Sequence, residues 1–326
     1  MTHSEQVFDR SRMRLTEPQL RLLALCKVKG VNWYLIAREA QRPGGVDRLW
    51  NAAPLEASAD AVKAIEALKP LNGEVEEYAA AAQAEVNKIR RDDVRLITVV
   101  DDDFPSNLRL VPNAPPFLFV RGAMTEADLR SVAVVGTRDA SDAGRLRAGR
   151  MARELVHRGV TVVSGLARGI DTAAHTSALE AGGRTIAVIG TGINRYFPAE
   201  NRDLTDRIAT GGQGAVVSQF WPDASGASYT FPRRNVTMSG IAQGTVVIEA
   251  GSTSGAKMQA RIALEHGKKV FLIKSLTEQQ EWARKYVETR GAVQVEDVET
   301  VADALAPPER IQAVDTLRSQ LVMDFA

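Results

Sequence analysis

The chain has 326 residues, 44% of them hydrophobic, and 41 Lys and Arg balance 40 Asp and Glu to a formal net charge of +1. That length supports one large α/β domain with a smaller companion, and the charge balance excludes a net basic field, so any affinity for a polyanion has to come from local clustering. The single cysteine, Cys26, excludes an internal disulfide, and four scattered histidines without a cysteine partner argue against a structural zinc site, which together fit a reducing cytoplasm.

The opening MTHSEQVFDRSRMR carries no apolar signal core, and no apolar run approaches the roughly 18 residues of a membrane span, so neither secretion nor membrane insertion is expected. From about residue 16 to residue 90 the periodicity is helical: Leu20, Leu23, Ala24 and Val28, then Leu35 and Ile36, then Ala61 to Leu68, punctuated by Gly30 and Pro43-Gly44-Gly45. Residues 1–92 are expected to form a small helical domain. Within it LCKVKGVNWYLIAREA sets a glycine turn between two helices. Such a turn packs two helices or, in a helix-hairpin-helix or SAM-like arrangement, lays backbone amides on a nucleic-acid phosphate.

From Val94 the texture changes to short β-branched runs: RLITVV, SVAVVG, VTVVSG, TIAVIG, AVVSQ, TVVIEAG and KVFLIK, which read as fully buried parallel strands. Helical segments separate them, notably Asp142 to His157, Ile170 to Ala181, Asn201 to Ala209, Gly255 to His266 and Thr277 to Thr289. The alternation predicts an α/β fold over residues 93–306, a doubly wound, mainly parallel, Rossmann-like sheet, followed by a short amphipathic tail over 307–326.

In such sheets ligands bind beyond the carboxyl ends of the strands, where Gly136-Thr137-Arg138, Ser164-Gly165, Gly190-Thr191-Gly192 and Glu249-Ala250-Gly251 all fall. The stretch VVSGLARGIDTAAH runs from strand through a glycine-and-arginine loop into a helix. There Ser164, Gly165, Arg168 and Gly169 can hold a phosphate on unpaired amides, or Arg168 can simply pair with Asp171. VAVVGTRDAS lacks the G-x-G-x-x-G spacing of a dinucleotide site, and no Walker lysine is present, so no cofactor and no metal are expected. Arg138, Arg168, Arg233, Arg234 and Lys257 offer charge for phosphates, and Tyr196, Phe197, Tyr229 and Phe231 offer stacking faces, which is the combination that single-stranded nucleic acid requires. Phe231 leads them, because it reads as part of a polar, proline-flanked loop rather than of the core. For chemistry the candidates are Asp171 with His175, spaced to share a helix face and a hydrogen bond, and Glu249, which can receive a ribose hydroxyl, brace a loop amide or attack as a nucleophile. The competing role for Asp171 and His175 is structural.

Taken together, GTR, SGLARGIDTAAH, GG-x-TIAVIG-x-G, FP-x-RN, SG, VVIEA and a second SG before an alanine-rich helix resemble the DprA/Smf (DNA processing protein A) family from roughly Phe104 to Val270. DFPSNLRLVPNAPPFLFVRG is similar to that family's lead-in, and the helical N-terminal region to its small helical domain. The resemblance implies a protein without known turnover that binds single-stranded DNA, self-associates as a homodimer and hands the strand to the RecA recombinase, usually during transformation. It also implies a phosphate pocket of Gly136, Arg138, Ser164, Gly165, Arg168 and Gly169, beside Thr137. Phe231 would stack a base, Arg234 with Asn235 would clamp the next stretch of backbone, and Asp171, His175, Glu249, Ser254 and Gly255 would shape the pocket. Departures place the chain on a divergent branch. Gln219 stands where a glutamate is usual, Val236 where a basic residue is common, and Ala256-Lys257 follows Ser254-Gly255. KSLTEQQEWARKYVETRG replaces the last Pro-Gly loop, and no winged-helix-like segment is recognisable. Two other expectations share these loops: a nucleotide hydrolase or sensor with Glu249 as its carboxylate, and a defence or mobile-element DNA sensor.

Overall fold

The computed structural model describes residues 15–324, so the leader reading made on Met1–Arg14 lies outside the described residues. Helices α1 (Glu17–Leu25), α2 (Trp33–Ala40), α3 (Gly45–Trp50), α4 (Ala59–Leu68) and α5 (Glu76–Val86) precede the first strand. Side chains start three of them: Thr16 forms a capping box with Gln19, Asn32 accepts from the amide of Tyr34, and Ser58 accepts from that of Ala61. Their apolar faces meet at Leu22, Leu23, Leu35, Ile36, Leu49, Trp50, Ala64 and Leu68, all buried. An aromatic cluster ties them to the sheet. Trp33 lies 5.1 Å from Phe117 and 6.1 Å from Trp221 between ring centroids, and the Lys27 ammonium stands 4.9 Å over Trp221.

The sheet has nine strands, β1 (Val94–Thr98), β2 (Phe117–Gly122), β3 (Ser131–Val135), β4 (Thr161–Ser164), β5 (Thr185–Val188), β6 (Gly214–Ser218), β7 (Gly244–Val247), β8 (Lys269–Ile273) and β9 (Val293–Val295), in the order β1-β2-β6-β5-β4-β3-β7-β8-β9. From β6 to β9 every neighbouring pair is parallel. This is the Rossmann-like α/β architecture that the alternation predicts.

One strand departs from the expectation of uniform parallel burial. RLITVV supplies β1, an edge strand paired antiparallel with β2, which is itself antiparallel to β6. Between β1 and β2 the only helix is the short α6 (Ser106–Arg109), and a parallel return needs a longer crossover. Asp101 instead folds the chain back, its carboxylate accepting from the amide and hydroxyl of Thr98. Arg95 is accordingly exposed.

The crossovers are α7 (Asp142–His157), α8 (Ile170–Glu180), α9 (Arg202–Thr210), α10 (Thr230–Ile241) and α11 (Gly255–Glu265). Helix α10 covers FPRRN, so Phe231 stands in a first helical turn and not in a loop. Pro232 fits there because the first-turn amide it lacks would have no intrahelical partner. The segment expected as one helix over 277–289 is two, α12 (Lys274–Gln279) and α13 (Glu281–Arg290), broken where Gln280 is extended. Gly291, at φ 76°, ends α13 and turns the chain into β9, which continues the sheet by parallel pairing to β8. Helices α14 (Glu299–Asp303) and α15 (Pro308–Asp324) follow, and an Arg109–Asp315 ion pair at 3.6 Å joins α15 to α6.

Candidate functional site

The chain runs from β3 outward through β4, β5 and β6, then returns to the other flank of β3 as β7. The carboxyl ends of β3 and β7 are therefore the topological switch point, where doubly wound sheets open a crevice. A cavity of about 540 Å³ lies there, lined among others by Gly136, Thr137, Arg138, Asp171, Phe231, Asn235, Ser254 and Gly255. A smaller one of about 150 Å³ adjoins it with Arg168, Gly190 and Phe197, and the two share Arg138, Phe231 and Arg234.

Close backbone contacts fix the loops around it. At Gly136 a Cβ would lie 2.3 Å from Ile170 Cγ1, and at Gly169, which has φ +75°, it would lie 2.5 Å from the carbonyl oxygens of both Thr137 and Arg138. Only glycine lets the loop after β3 and the loop after β4 touch. The Thr137 amide donates to the Glu249 carbonyl at 2.7 Å. Of the three roles open to Glu249, the side chain makes the bracing one: it accepts from the Ser141 amide at 3.2 Å and from the Ser141 hydroxyl at 2.7 Å. Ser141 in turn caps α7 through the Gly144 amide at 2.9 Å.

The loop after β4 is organised from beneath. One carboxylate oxygen of Asp171 accepts from the amides of Gly165 and Ala167, at 3.2 Å each, and the Ser164 hydroxyl donates inward to the Val134 carbonyl at 2.7 Å. Two groups expected on a phosphate, the Ser164 hydroxyl and the Gly165 amide, thus already have partners in the fold. The suggested Arg168–Asp171 pair does not form. Arg168 points outward, exposed, with Glu200 at 3.9 Å.

Arg234 departs furthest from its expected part. It is buried, and its Nη1 donates to the carbonyls of Gly165 at 2.5 Å and Val188 at 2.9 Å. A Cβ on Gly165 would lie 1.8 Å from that nitrogen, so Gly165 makes room for the guanidinium. Burial pushes the Asp171 carboxyl up against the pull of Arg234, and burial lowers Arg234 against the pull of Asp171. Arg234 therefore holds the crest together from inside. Asn235 donates to the Gly255 carbonyl at 3.4 Å, and Ser254 caps α11.

The exposed chemistry gathers at Phe231. Its ring lies against Gly190, where a Cβ would sit 2.8 Å from it, and 5.7 Å from the ring of Phe197, which is 46% exposed. The Arg138 guanidinium stands 5.4 Å over the Phe231 ring, is exposed, and has no ion pair among the described residues. Two aromatic faces and a free cation thus share one edge of the cleft.

Other expected residues lie elsewhere. Lys257 stands 5.8 Å over Trp282 in a separate groove with Lys285, Tyr286 and Arg290, and Arg233 stands 5.6 Å over Tyr229, on the side of α10 away from the cleft. Tyr196 donates to Asp206 at 2.7 Å with the guanidinium groups of Arg91 and Arg202 over its ring. His175 makes no hydrogen bond to Asp171. Its Nδ1 meets the Thr185 hydroxyl at 2.6 Å, and burial pushes its pKa down to about 3. The sequence reading passed over Asn201, whose amide donates to the Leu166 carbonyl at 2.9 Å and holds that residue at φ 59°, and it passed over Ser141. Ser141 was detectable as the serine before a helix start; Asn201 had no local signal.

Among the described residues no group of three or more His, Cys, Asp or Glu side chains is placed to hold a metal, and no helix is long and apolar enough to cross a membrane. The family whose description is DNA recombination-mediator protein A matches residues 95–306. Protein Smf of Synechocystis sp. is 32% identical over 266 residues, covering 79% of this chain and 65% of that protein. The DNA processing protein DprA of Streptococcus pneumoniae is 39% identical over 176 residues, covering 54% of this chain and 61% of that protein. The chain thus spans less than two thirds of the length of these curated relatives. The X-ray structure of DprA from Streptococcus pneumoniae superposes with a TM-score of 0.71 at 29% identity, over 90% of this chain and 100% of that one. DNA processing protein A from Helicobacter pylori, described for its single-stranded DNA binding mode, shares the fold with a TM-score of 0.57 at 22% identity, over 64% of this chain and 94% of that one. With the match running from the first strand of the sheet to the residue just after Leu305, the chain belongs to the DprA/Smf family.

Proposed function

We propose that this chain binds single-stranded DNA across the cleft at the β3–β7 switch point. The observation that carries the reading is the exposed Arg138 guanidinium over the Phe231 ring, with Phe197 beside it. A single strand presents a phosphate and an unpaired base at each step, and a cation next to aromatic faces takes both without reading sequence. Arg168, exposed on the neighbouring loop, supplies a second positive charge, and buried Asp171 and Arg234 hold that loop in place through the amide and carbonyl of Gly165. The relative from Helicobacter pylori is described as binding single-stranded DNA, and this chain shares its fold.

Glu249 argues against the nucleotide-hydrolase alternative, because its carboxylate is engaged by Ser141 at the α7 cap. The chain is therefore read as a binding protein and not as an enzyme. Self-association as a homodimer and delivery of the strand to a RecA-type recombinase in transformation belong to the same proposal. Sizing of the purified protein and capture of recombinase on a preformed DNA complex test them.

The direct test is fluorescence anisotropy with labelled single strands of increasing length at two salt concentrations, with duplex as control. Length-dependent, salt-sensitive binding that prefers single strands and weakens in Arg138→Ala and Phe231→Ala is expected. Unchanged affinity in both variants would remove the site. Hydrolysis of a nucleoside monophosphate that disappears in Glu249→Gln would restore the enzyme.

A further inference from the structure

The two faces at the start of α10 differ. Phe231, Arg234, Asn235 and Met238, at i, i+3, i+4 and i+7, face the cleft and its cavity. Tyr229, at the N-cap, and Arg233, four residues on, form the other face. Tyr229 is 62% exposed, and its hydroxyl has no hydrogen-bond partner among the described residues. The Arg233 guanidinium stands 5.6 Å over its ring and is also exposed, with no ion pair among the described residues. This pair repeats, just outside the cleft, the composition of Arg138 over Phe231 inside it. The two sites are continuous, since Ser228, immediately before Tyr229, lines the cavity that contains Phe231 and Arg138. On its outer side Arg233 approaches α2: burial pushes the Tyr34 phenol up, and the Arg233 charge opposes that shift. Tyr34 lies in the first turn of α2, which follows the Gly30 turn.

We propose that Tyr229 and Arg233 form a second nucleotide position, in which a base of the same strand stacks on the Tyr229 ring and its phosphate meets Arg233, so that the strand leaves the cleft over the start of α10 toward the N-terminal helices. The inference rests on the reading of the cleft as a single-strand site. An exposed aromatic carries a nucleobase of any identity because every base has a π-face, and a cation held beside it neutralises the adjoining phosphate without base readout. The N-terminal helices, tied to the sheet through Trp33, Phe117 and Trp221, then flank the path of the strand.

The test uses the full chain and oligothymidylates carrying 5-iodouracil at successive positions, cross-linked by light and mapped by mass spectrometry, with affinities measured for wild type, Tyr229→Ala and Tyr229→Phe. Cross-links to Tyr229 are expected, from positions displaced along the strand from those that reach Phe231. Tyr229→Ala should weaken binding of strands long enough to reach both positions about 5- to 150-fold, the worth of one stacked base, while Tyr229→Phe keeps wild-type affinity. Cross-links confined to the cleft, with Tyr229→Ala binding long strands as wild type does, would overturn the second position and leave the cleft reading standing. Failure of the wild-type chain to bind any single strand would overturn both.

Discussion

Asp171 and Arg234 are the buried opposite charges of the crest, and both act on Gly165: the carboxylate accepts from its amide and the guanidinium donates to its carbonyl. The loop after β4 is thereby set from within, while Arg168 on it and Arg138 on the loop after β3 face outward, exposed. The Asp171 and Arg234 side chains do not meet within ion-pair distance, and removing Arg234 leaves the buried Gly165 and Val188 carbonyls without their donor, at a cost of about 1–3 kcal/mol for each group left unpaired. Arg234→Ala should therefore lower stability by an amount of that order and weaken DNA binding only through the disordered loop. Chemical denaturation of Arg234→Ala beside Arg234→Lys tests this, the lysine, which keeps a buried donor for the carbonyls, being expected to recover part of the loss.

Arg138 should behave in the opposite way. Because its guanidinium is exposed over Phe231 and makes no ion pair among the described residues, Arg138→Ala should leave the unfolding midpoint close to wild type. Binding should weaken for all sequences alike, and the slope of log affinity against log salt should fall by about 0.7, the value of one phosphate contact on a single strand. A salt titration of wild type and variant side by side reads the difference.

Two glycines separate binding from folding. At Gly190 an added methyl meets the Phe231 ring at 2.8 Å, so Gly190→Ala should displace the stacking face and weaken binding by about 1 kcal/mol or more. At Gly169 the same methyl meets two carbonyl oxygens at 2.5 Å on a backbone with φ +75°, so Gly169→Ala should destabilise the fold by a few kcal/mol. Paired thermal melts and anisotropy titrations should show the first variant losing affinity and the second losing stability.

His175 gives the fold a pH dependence. The Thr185 hydroxyl donates to the Val162 carbonyl at 2.8 Å, so Nδ1 of His175 must donate to that hydroxyl and carries a proton. Burial lowers its pKa from 6.5 to about 3. A depressed folded pKa means that the unfolded chain takes up the proton first. The contribution is therefore complete above the unfolded value and is lost as pH falls from about 6.5 toward 3, by about 1.4 kcal/mol per pH unit. His266, lowered to about 4 by burial, acts in the same direction. Urea unfolding between pH 7 and pH 4 should show a shallower slope in His175→Gln than in wild type, the difference approaching about 1.4 kcal/mol per pH unit whatever the absolute stability of the variant.

The elements that neighbouring residues specify were legible in the sequence. Helix α7 begins at Asp142 because Ser141 caps it, and the parallel strands from SVAVVG to KVFLIK stand out because a strand covered on both faces carries no polar alternation. The glycines and arginines of the strand-to-helix loops were legible for the same reason. Helix α10 was less so, since Pro232 marks a first turn as readily as a loop. The antiparallel pairing of β1 was hidden in a similar way, because RLITVV looks alike in either direction and only the chain reversal at Asp101 decides it.

The sequence by itself determined the α/β alternation, the placing of glycine and arginine at the carboxyl ends of the strands, and the motifs that mark the family. Only the tertiary structure decided where each cation points: Arg234 turns inward onto Gly165 and Val188, Lys257 lies over Trp282 in a separate groove, and Arg138 and Arg233 stand exposed over Phe231 and Tyr229. The physical reason is one of range. Helix, strand and cap preferences arise between residues a few positions apart, whereas the direction of a long charged side chain follows from which carbonyls, carboxylates and rings distant parts of the chain bring within its reach.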